Sequence, residues 1–238
     1  MPAIPGIDKG WITSRHCWRH RRWGGGRPGL HLQPLKGYDV SMTEEATPWQ
    51  RLTGRGMYPV EYAAWLLNPV RNLIAPAWLV VNRLGLKSTD HVLEIGCGPG
   101  FFSPAAAKRL SAGRLVLFDA QDRMIQIASS RLTRRGLTNF ESVTGSAEAL
   151  PFAADAFDVV FMVTVLGEVP DRAAAVREAA RVLRPGGRFS TTEAAGDPDV
   201  VKRSEIRALA AQAGLEPERV WEIGLISTHN FRKPMPVV

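Results

Sequence analysis

The 238-residue chain is 45% hydrophobic and 22% charged, with two cysteines and a formal net charge of +7. That length and apolar content fill the core of one substantial domain or two small ones, which excludes disorder as a description of the whole chain. Cys17 and Cys97 are too few for a disulfide framework or a cysteine-built zinc site within one chain, and they fit a reducing, cytoplasmic setting.

The charge is unevenly placed. Residues 1–41 hold seven basic residues (Lys9, Arg15, Arg19, Arg21, Arg22, Arg27, Lys36) against Asp8 and Asp39, a balance of +5; the remaining 23 basic and 21 acidic residues give +2. This leader has no sustained period of two or of 3.6 and no apolar run of the kind a secretory signal needs. It reads as a segment without structure of its own: a disordered basic arm, with Trp11, Trp18 and Trp23 interleaved for stacking, or sequence preceding a native start at Met42. With the leader set apart, the charge no longer points to a nucleic-acid partner.

Residues 42–88 form the next unit. Tyr58 to Leu86 has helical spacing punctuated by Pro69 and Pro76, which predicts two or three short apolar helices as an N-terminal cover. Glu61, Asn68, Arg71 and Asn82 interrupt the apolar run, so a membrane-spanning helix is not expected, although contact with a membrane surface is open to it.

Residues 89–238 alternate strand and helix. The predicted strands are His91 to Ile95, Leu115 to Phe118, Phe140 to Val143, Phe157 to Val163 and Phe189 to Glu193, with two weaker ones at Val220 to Ile223 and Ile226 to Phe231. Helices are expected over Gly100 to Ser111, Asp122 to Arg135, Arg172 to Leu183 and Ser204 to Ala213. The fourth strand is nearly continuous in apolar residues, the mark of a central parallel strand covered on both faces. The alternation predicts an α/β fold with a parallel sheet and right-handed crossovers, whose ligands bind at the carboxyl ends of the strands.

The chemistry concentrates at two of those ends. The first strand runs into VLEIGCGPG, where Gly96, Gly98 and Gly100 permit close backbone approach and leave helix-start amides available to donate. Glu94, two residues before the first glycine, would repel a pyrophosphate and suits an ammonium group instead. Asp119, 23 residues after Gly96 at the end of the second strand, is placed to accept both hydroxyls of a ribose. An ammonium at one end and a ribose at the other describe S-adenosylmethionine.

On these motifs the chain resembles a class I S-adenosylmethionine-dependent methyltransferase, in the broad group that includes ubiquinone/menaquinone-biosynthesis methyltransferases. The resemblance covers Val92 to Phe231 and is carried by VLEIGCGPG, FDAQDRM, GSAEALPF, AFDVVFMVTVL and EAARVLRPGGRFSTTE. It implies a Rossmann-like, doubly wound, seven-stranded and mostly parallel sheet with helices on both faces. It also implies S-adenosylmethionine as cofactor, S-adenosylhomocysteine as product, and a cofactor site at Glu94, Gly96, Cys97, Gly98, Gly100, Asp119, Ala120, Met124, Ser146, Ala147, Glu148 and Val163.

Two departures stand out. Ser146 occupies the place of a common Asp that meets the adenine amino group, and Gly167–Glu168 stands where relatives often carry a His pair. Without that imidazole, Glu168 is the nearest titratable candidate for a catalytic role; Tyr58 and Tyr62 are candidates for lining an acceptor pocket. His91 falls at the wrong end of the sheet, and His229 and Cys97 read as packed side chains. No metal site is expected. The motifs of amino-group, arsenite and metal-dependent catechol methylation are missing, and the apolar stretch Trp65 to Val81 favours a small, hydrophobic, quinone- or lipid-like acceptor. The rival readings are a non-catalytic S-adenosylmethionine-binding protein and, less favoured, a nicotinamide-dependent oxidoreductase.

Overall fold

The computed structural model describes residues 58–68 and 75–236; the leader expected over residues 1–41 lies outside them. Seven strands form one sheet: β1 (His91–Ile95), β2 (Arg114–Asp119), β3 (Phe140–Thr144), β4 (Phe157–Val163), β5 (Leu183–Ala194), β6 (Glu216–Ile223) and β7 (Ile226–Arg232). Their order is β3-β2-β1-β4-β5-β7-β6. The first five are parallel, whereas β7 enters antiparallel between β5 and β6. The strand order reverses at β1 and β4, so the crevice for a ligand opens above their carboxyl ends.

Six helices accompany the sheet among the described residues: α1 (Ala63–Leu66), α2 (Ala77–Arg83), α3 (Ser103–Ala107), α4 (Asp122–Thr133), α5 (Arg172–Val182) and α6 (Arg203–Gln212). They divide by face. Val80 and Val81 of α2, Ala106 of α3 and Ala128 of α4 pack in one core cluster, while Val176 of α5 and Ile206 of α6 pack in the other. Strand residues feed the two clusters alternately: Val92, Leu115, Leu117, Val159 and Phe161 on the first face, Leu93, Ile95, Val116, Phe118 and Val160 on the second. A strand sandwiched in this way must be apolar on both sides, which is why FDVVFMV carries almost no polar residue.

The exception, Asp158, sits at a register irregularity between Phe157 and Val159. Its carboxylate accepts from the His91 amide at 2.8 Å and from Arg184 at 2.8 Å, tying the amino ends of β1 and β4 together. His91 is thus at the end of the sheet remote from the ligand crevice, as its sequence position predicts.

Two expected elements differ. The helix after β1 is only five residues long, because Gly96, Gly98 and Gly100 all hold positive φ and the chain begins helical winding only at Ser103, with Pro104 in the first turn. β5 begins at Leu183 rather than Phe189. Leu183 pairs with Phe157, the chain then loops out through Arg184 to Gly187, and pairing resumes at Arg188 opposite Val159. The Pro-Gly-Gly stretch ends α5 as expected, but within a strand rather than a turn between elements.

Candidate functional site

The ends of β1, β2 and β4 and the segment before α2 enclose a cavity of about 920 Å³, its open mouth included. Gly96, Cys97, Gly98, Asp119, Ala120, Met124, Ser146, Ala147, Glu148, Val163, Glu168 and Tyr58, all singled out in the sequence, line it. Tyr62 lies on the 3-10 turn before α1, and its side chain is outside the described residues.

Two expected residues are not on the wall. Glu94 shares the strand face of Val92, the side that α3 covers, and is 2% exposed behind the glycine turn. Gly100 faces α4: a Cβ there would stand 3.1 Å from both Cα and Cβ of Ala128, so this glycine serves helix packing. Gly96 is needed for a different contact, since its Cβ would come within 2.3 Å of Val165 on the loop after β4.

The glycine turn does not offer its amides. Gly96 and Cys97 donate to the Phe118 carbonyl at 2.8 and 3.1 Å, Gly98 donates to Asp119 Oδ2 at 2.8 Å, and Gly100 donates to the Cys97 carbonyl at 3.0 Å. These four amides belong to the glycine turn itself, ahead of the helix that starts at Ser103. A pyrophosphate finds no cradle in these four groups, which counts against a nicotinamide dinucleotide.

The electrostatics point the same way. Asp119, Glu148 and Glu168 line the cavity, and no Lys, Arg or His lines it among the described residues. Burial pushes the Glu168 carboxyl up to about 8; the Tyr58 amide opposes this, while Asp197, Asp119 and Asp199 raise it further. Glu94 is likewise pushed to about 8 by burial, against the lowering effect of the Ser103 hydroxyl and with a further rise from Asp119. Its Oε2 has no hydrogen-bond partner. Asp119, 8% exposed, is raised by burial and lowered by the amides of Gln121, Gly98 and Ala120. Burying acids together without cations is unfavourable unless a positive ligand completes the site.

Other candidates carry contacts within the protein. The Cys97 thiol is buried, donates to the Gly98 carbonyl at 3.5 Å, and is pushed well above its ordinary pKa by burial and by Glu94 and Asp119, so it is a poor nucleophile. His229 is fully buried on β7. Ser146 accepts from the Glu148 amide at 3.2 Å, and Glu148 accepts from the Asp171 amide at 2.7 Å, joining the loop after β3 to the start of α5. Gly167 has a steric reason: a Cβ there would lie 1.8 Å from the Asp199 carbonyl oxygen, so no histidine fits without displacing that loop.

The sequence gives no notice of Gln121, Phe101, Phe102, Thr164 or Val165, which also line the cavity. Thr164 is a β-branched residue at φ 53°, a strained conformation at the end of β4 that only a structure reveals. Gln121, two residues after Asp119, is the one a closer look at the motif could have flagged.

Comparison with known proteins agrees with this architecture. A family described as "Methyltransferase domain" matches residues 93–191. The ubiquinone/menaquinone biosynthesis C-methyltransferase UbiE of Xanthomonas oryzae pv. oryzae is 35% identical over 149 residues, covering 60% of this chain and 59% of that relative. The UbiE protein of Pseudomonas putida is 37% identical over 115 residues, 48% of this chain and 45% of the relative. The chain thus spans about three fifths or less of the length of these relatives.

Among solved structures, a SAM-dependent methyltransferase from Aquifex aeolicus matches with a TM-score of 0.70 at 22% identity, covering 74% of this chain and all of that one. The [4+2]-cyclase SpnF matches with a TM-score of 0.62 at 19% identity, covering 67% of this chain and 81% of that one. At these identities the structures speak for the fold alone. The fold, the motif positions and the methyltransferase-domain match over residues 93–191 agree, and in all three the chain is similar to class I S-adenosylmethionine-dependent methyltransferases.

Proposed function

We propose that this protein binds S-adenosylmethionine and transfers its methyl group to a small, hydrophobic ring acceptor of the quinone-precursor kind. The carrying observation is the cavity whose charged lining residues, among the described residues, are all acids, at the crevice above the carboxyl ends of β1 and β4. S-adenosylmethionine brings a sulfonium and an ammonium to such a site, and its sulfonium supplies an already activated methyl group.

The residues fit that ligand in detail. Asp119 is held by two amides, Gly98 at 2.8 Å and Gln121 at 2.9 Å, and keeps further acceptor capacity for ribose hydroxyls. Ala120, Met124 and Ala147 offer apolar surface for adenine. The chain's remaining task is to align acceptor and methyl group and exclude water, to which Leu66, Phe101, Phe102, Val165, Val169 and Pro170 contribute an apolar wall. Glu168 is the group placed to take a proton from an acceptor. The UbiE relatives' names support carbon methylation of a quinone precursor.

The test is calorimetry with S-adenosylmethionine and S-adenosylhomocysteine, followed by transfer of labelled methyl to short-chain prenylated hydroquinone precursors. Binding of both nucleosides and a labelled ring product are expected. If neither binds, the enzyme reading fails; binding without transfer to any ring acceptor refutes the acceptor class.

A further inference from the structure

Hydrogen bonds form a partial ring around the cavity mouth, and it runs through the backbone of a single residue of the N-terminal cover. Asp119 Oδ1 accepts from the Gln121 amide at 2.9 Å, and the Gln121 side-chain amide donates to the Tyr58 carbonyl at 2.8 Å. The Tyr58 amide in turn donates to Glu168 Oε2 at 3.4 Å. These contacts span 63 and 110 residues of chain and join the loop after β2 to the loop after β4 across the segment that leads into α1. Asp119, Gln121, Tyr58 and Glu168 all line the cavity.

We infer that Gln121 and Glu168 are positioning residues that clasp the Tyr58 peptide over the cavity and thereby set how long an adenosyl ligand stays. The inference rests on the cofactor reading above. Gln121 is suited to this task because its own amide already reports the position of Asp119, so an ordered Asp119 orders the side chain that holds the cover. Either protonation state of Glu168 accepts from the Tyr58 amide, and so does the carbonyl oxygen of a glutamine. The clasp therefore depends on shape and acceptor capacity rather than on charge.

The experiment measures dissociation of S-adenosylhomocysteine from the full chain by stopped flow, with hydrogen exchange of the segment 58–66 followed in parallel. Gln121→Met and Glu168→Leu should each speed dissociation roughly 3- to 10-fold, the equivalent of one net hydrogen bond, and should lower ligand-induced protection of 58–66. Glu168→Gln should restore a rate near wild type. Unchanged exchange over β1 and β4 shows that the variants are folded. Wild-type dissociation rates in both Gln121→Met and Glu168→Leu, with normal binding, overturn the clasp and leave the cofactor reading intact. Equal acceleration by Glu168→Gln and Glu168→Leu also overturns it, by showing that charge is what matters. Failure of the wild type to bind any adenosyl ligand overturns both.

Discussion

Affinity for S-adenosylmethionine should rise with pH, and Glu168 should account for most of the rise. This carboxyl is pushed up to about 8 by its partial burial and by Asp197, Asp119 and Asp199, with the Tyr58 amide opposing. A group with pKa about 8 is roughly 0.3% ionised at pH 5.5 and roughly 9% at pH 7.0. A sulfonium that is complemented by the ionised form therefore binds up to about 30-fold more tightly at pH 7.0 than at 5.5, and releases close to one proton on binding. The sign follows from the ligand: a cation lowers the raised pKa, so a proton leaves and higher pH favours the complex. Titration calorimetry in two buffers of different ionisation enthalpy, at both pH values, reads affinity and proton release together. Glu168→Gln removes the titrating group but keeps an acceptor for Tyr58, so its affinity should be much flatter across the interval. Parallel curves for wild type and Glu168→Gln would refute the assignment of the proton to this carboxyl.

Three further outcomes are expected. Asp119→Ala should weaken S-adenosylhomocysteine binding by roughly 1.5–3 kcal/mol, the range for hydrogen bonds to a charged group; unchanged affinity in a folded variant sinks the ribose assignment. Gly167→Ala should lower stability by about 1–3 kcal/mol through overpacking against the Asp199 backbone, read as a fall in Tm, because φ at this position is not in the left-handed region and only the contact is at issue. Glu193, buried and pushed up to about 7, favours the folded state fully below the unfolded carboxyl pKa and loses that contribution as pH rises through 7. Glu193→Gln should consequently gain stability relative to wild type between about pH 4.5 and 7, by on the order of 3 kcal/mol over the full interval, and denaturant unfolding across that range would show a flat difference if the reasoning is wrong.

The sheet was legible because its information is local. A run such as FDVVFMV announces a strand buried on both faces, and Asp119 closes its strand where the sequence pattern predicts. Legibility ended where a position is decided by a distant partner. Gly100 looked like part of a ligand loop but answers to Ala128 on a neighbouring helix. Gly167 looked like a lost histidine but answers to the Asp199 backbone. The acceptors of the Gly96, Cys97 and Gly98 amides, the Phe118 carbonyl and the Asp119 carboxylate, belong to the adjacent strand and are not legible in the turn's own sequence. Gln121 and Tyr58 meet through a backbone carbonyl, a contact that leaves no trace in side-chain pattern. Glu94 was placed on the correct strand, yet the alternation that turns it towards α3 rather than the cavity depends on which face each helix takes.

The antiparallel entry of β7 between β5 and β6 carries a liability of its own. All seven residues from Ile226 to Arg232 pair with Arg188 to Ala194, and Phe231 stacks on Phe189 with ring centroids 6.2 Å apart. A chain shortened before Ile226 would leave the long strand β5 as a bare edge, its amides and carbonyls unpaired and its apolar face uncovered. Such an edge templates pairing with other chains. Loss of the last strands should accordingly produce aggregates rather than a smaller soluble domain, even though the glycine turn, Asp119 and Glu168 would all still be present.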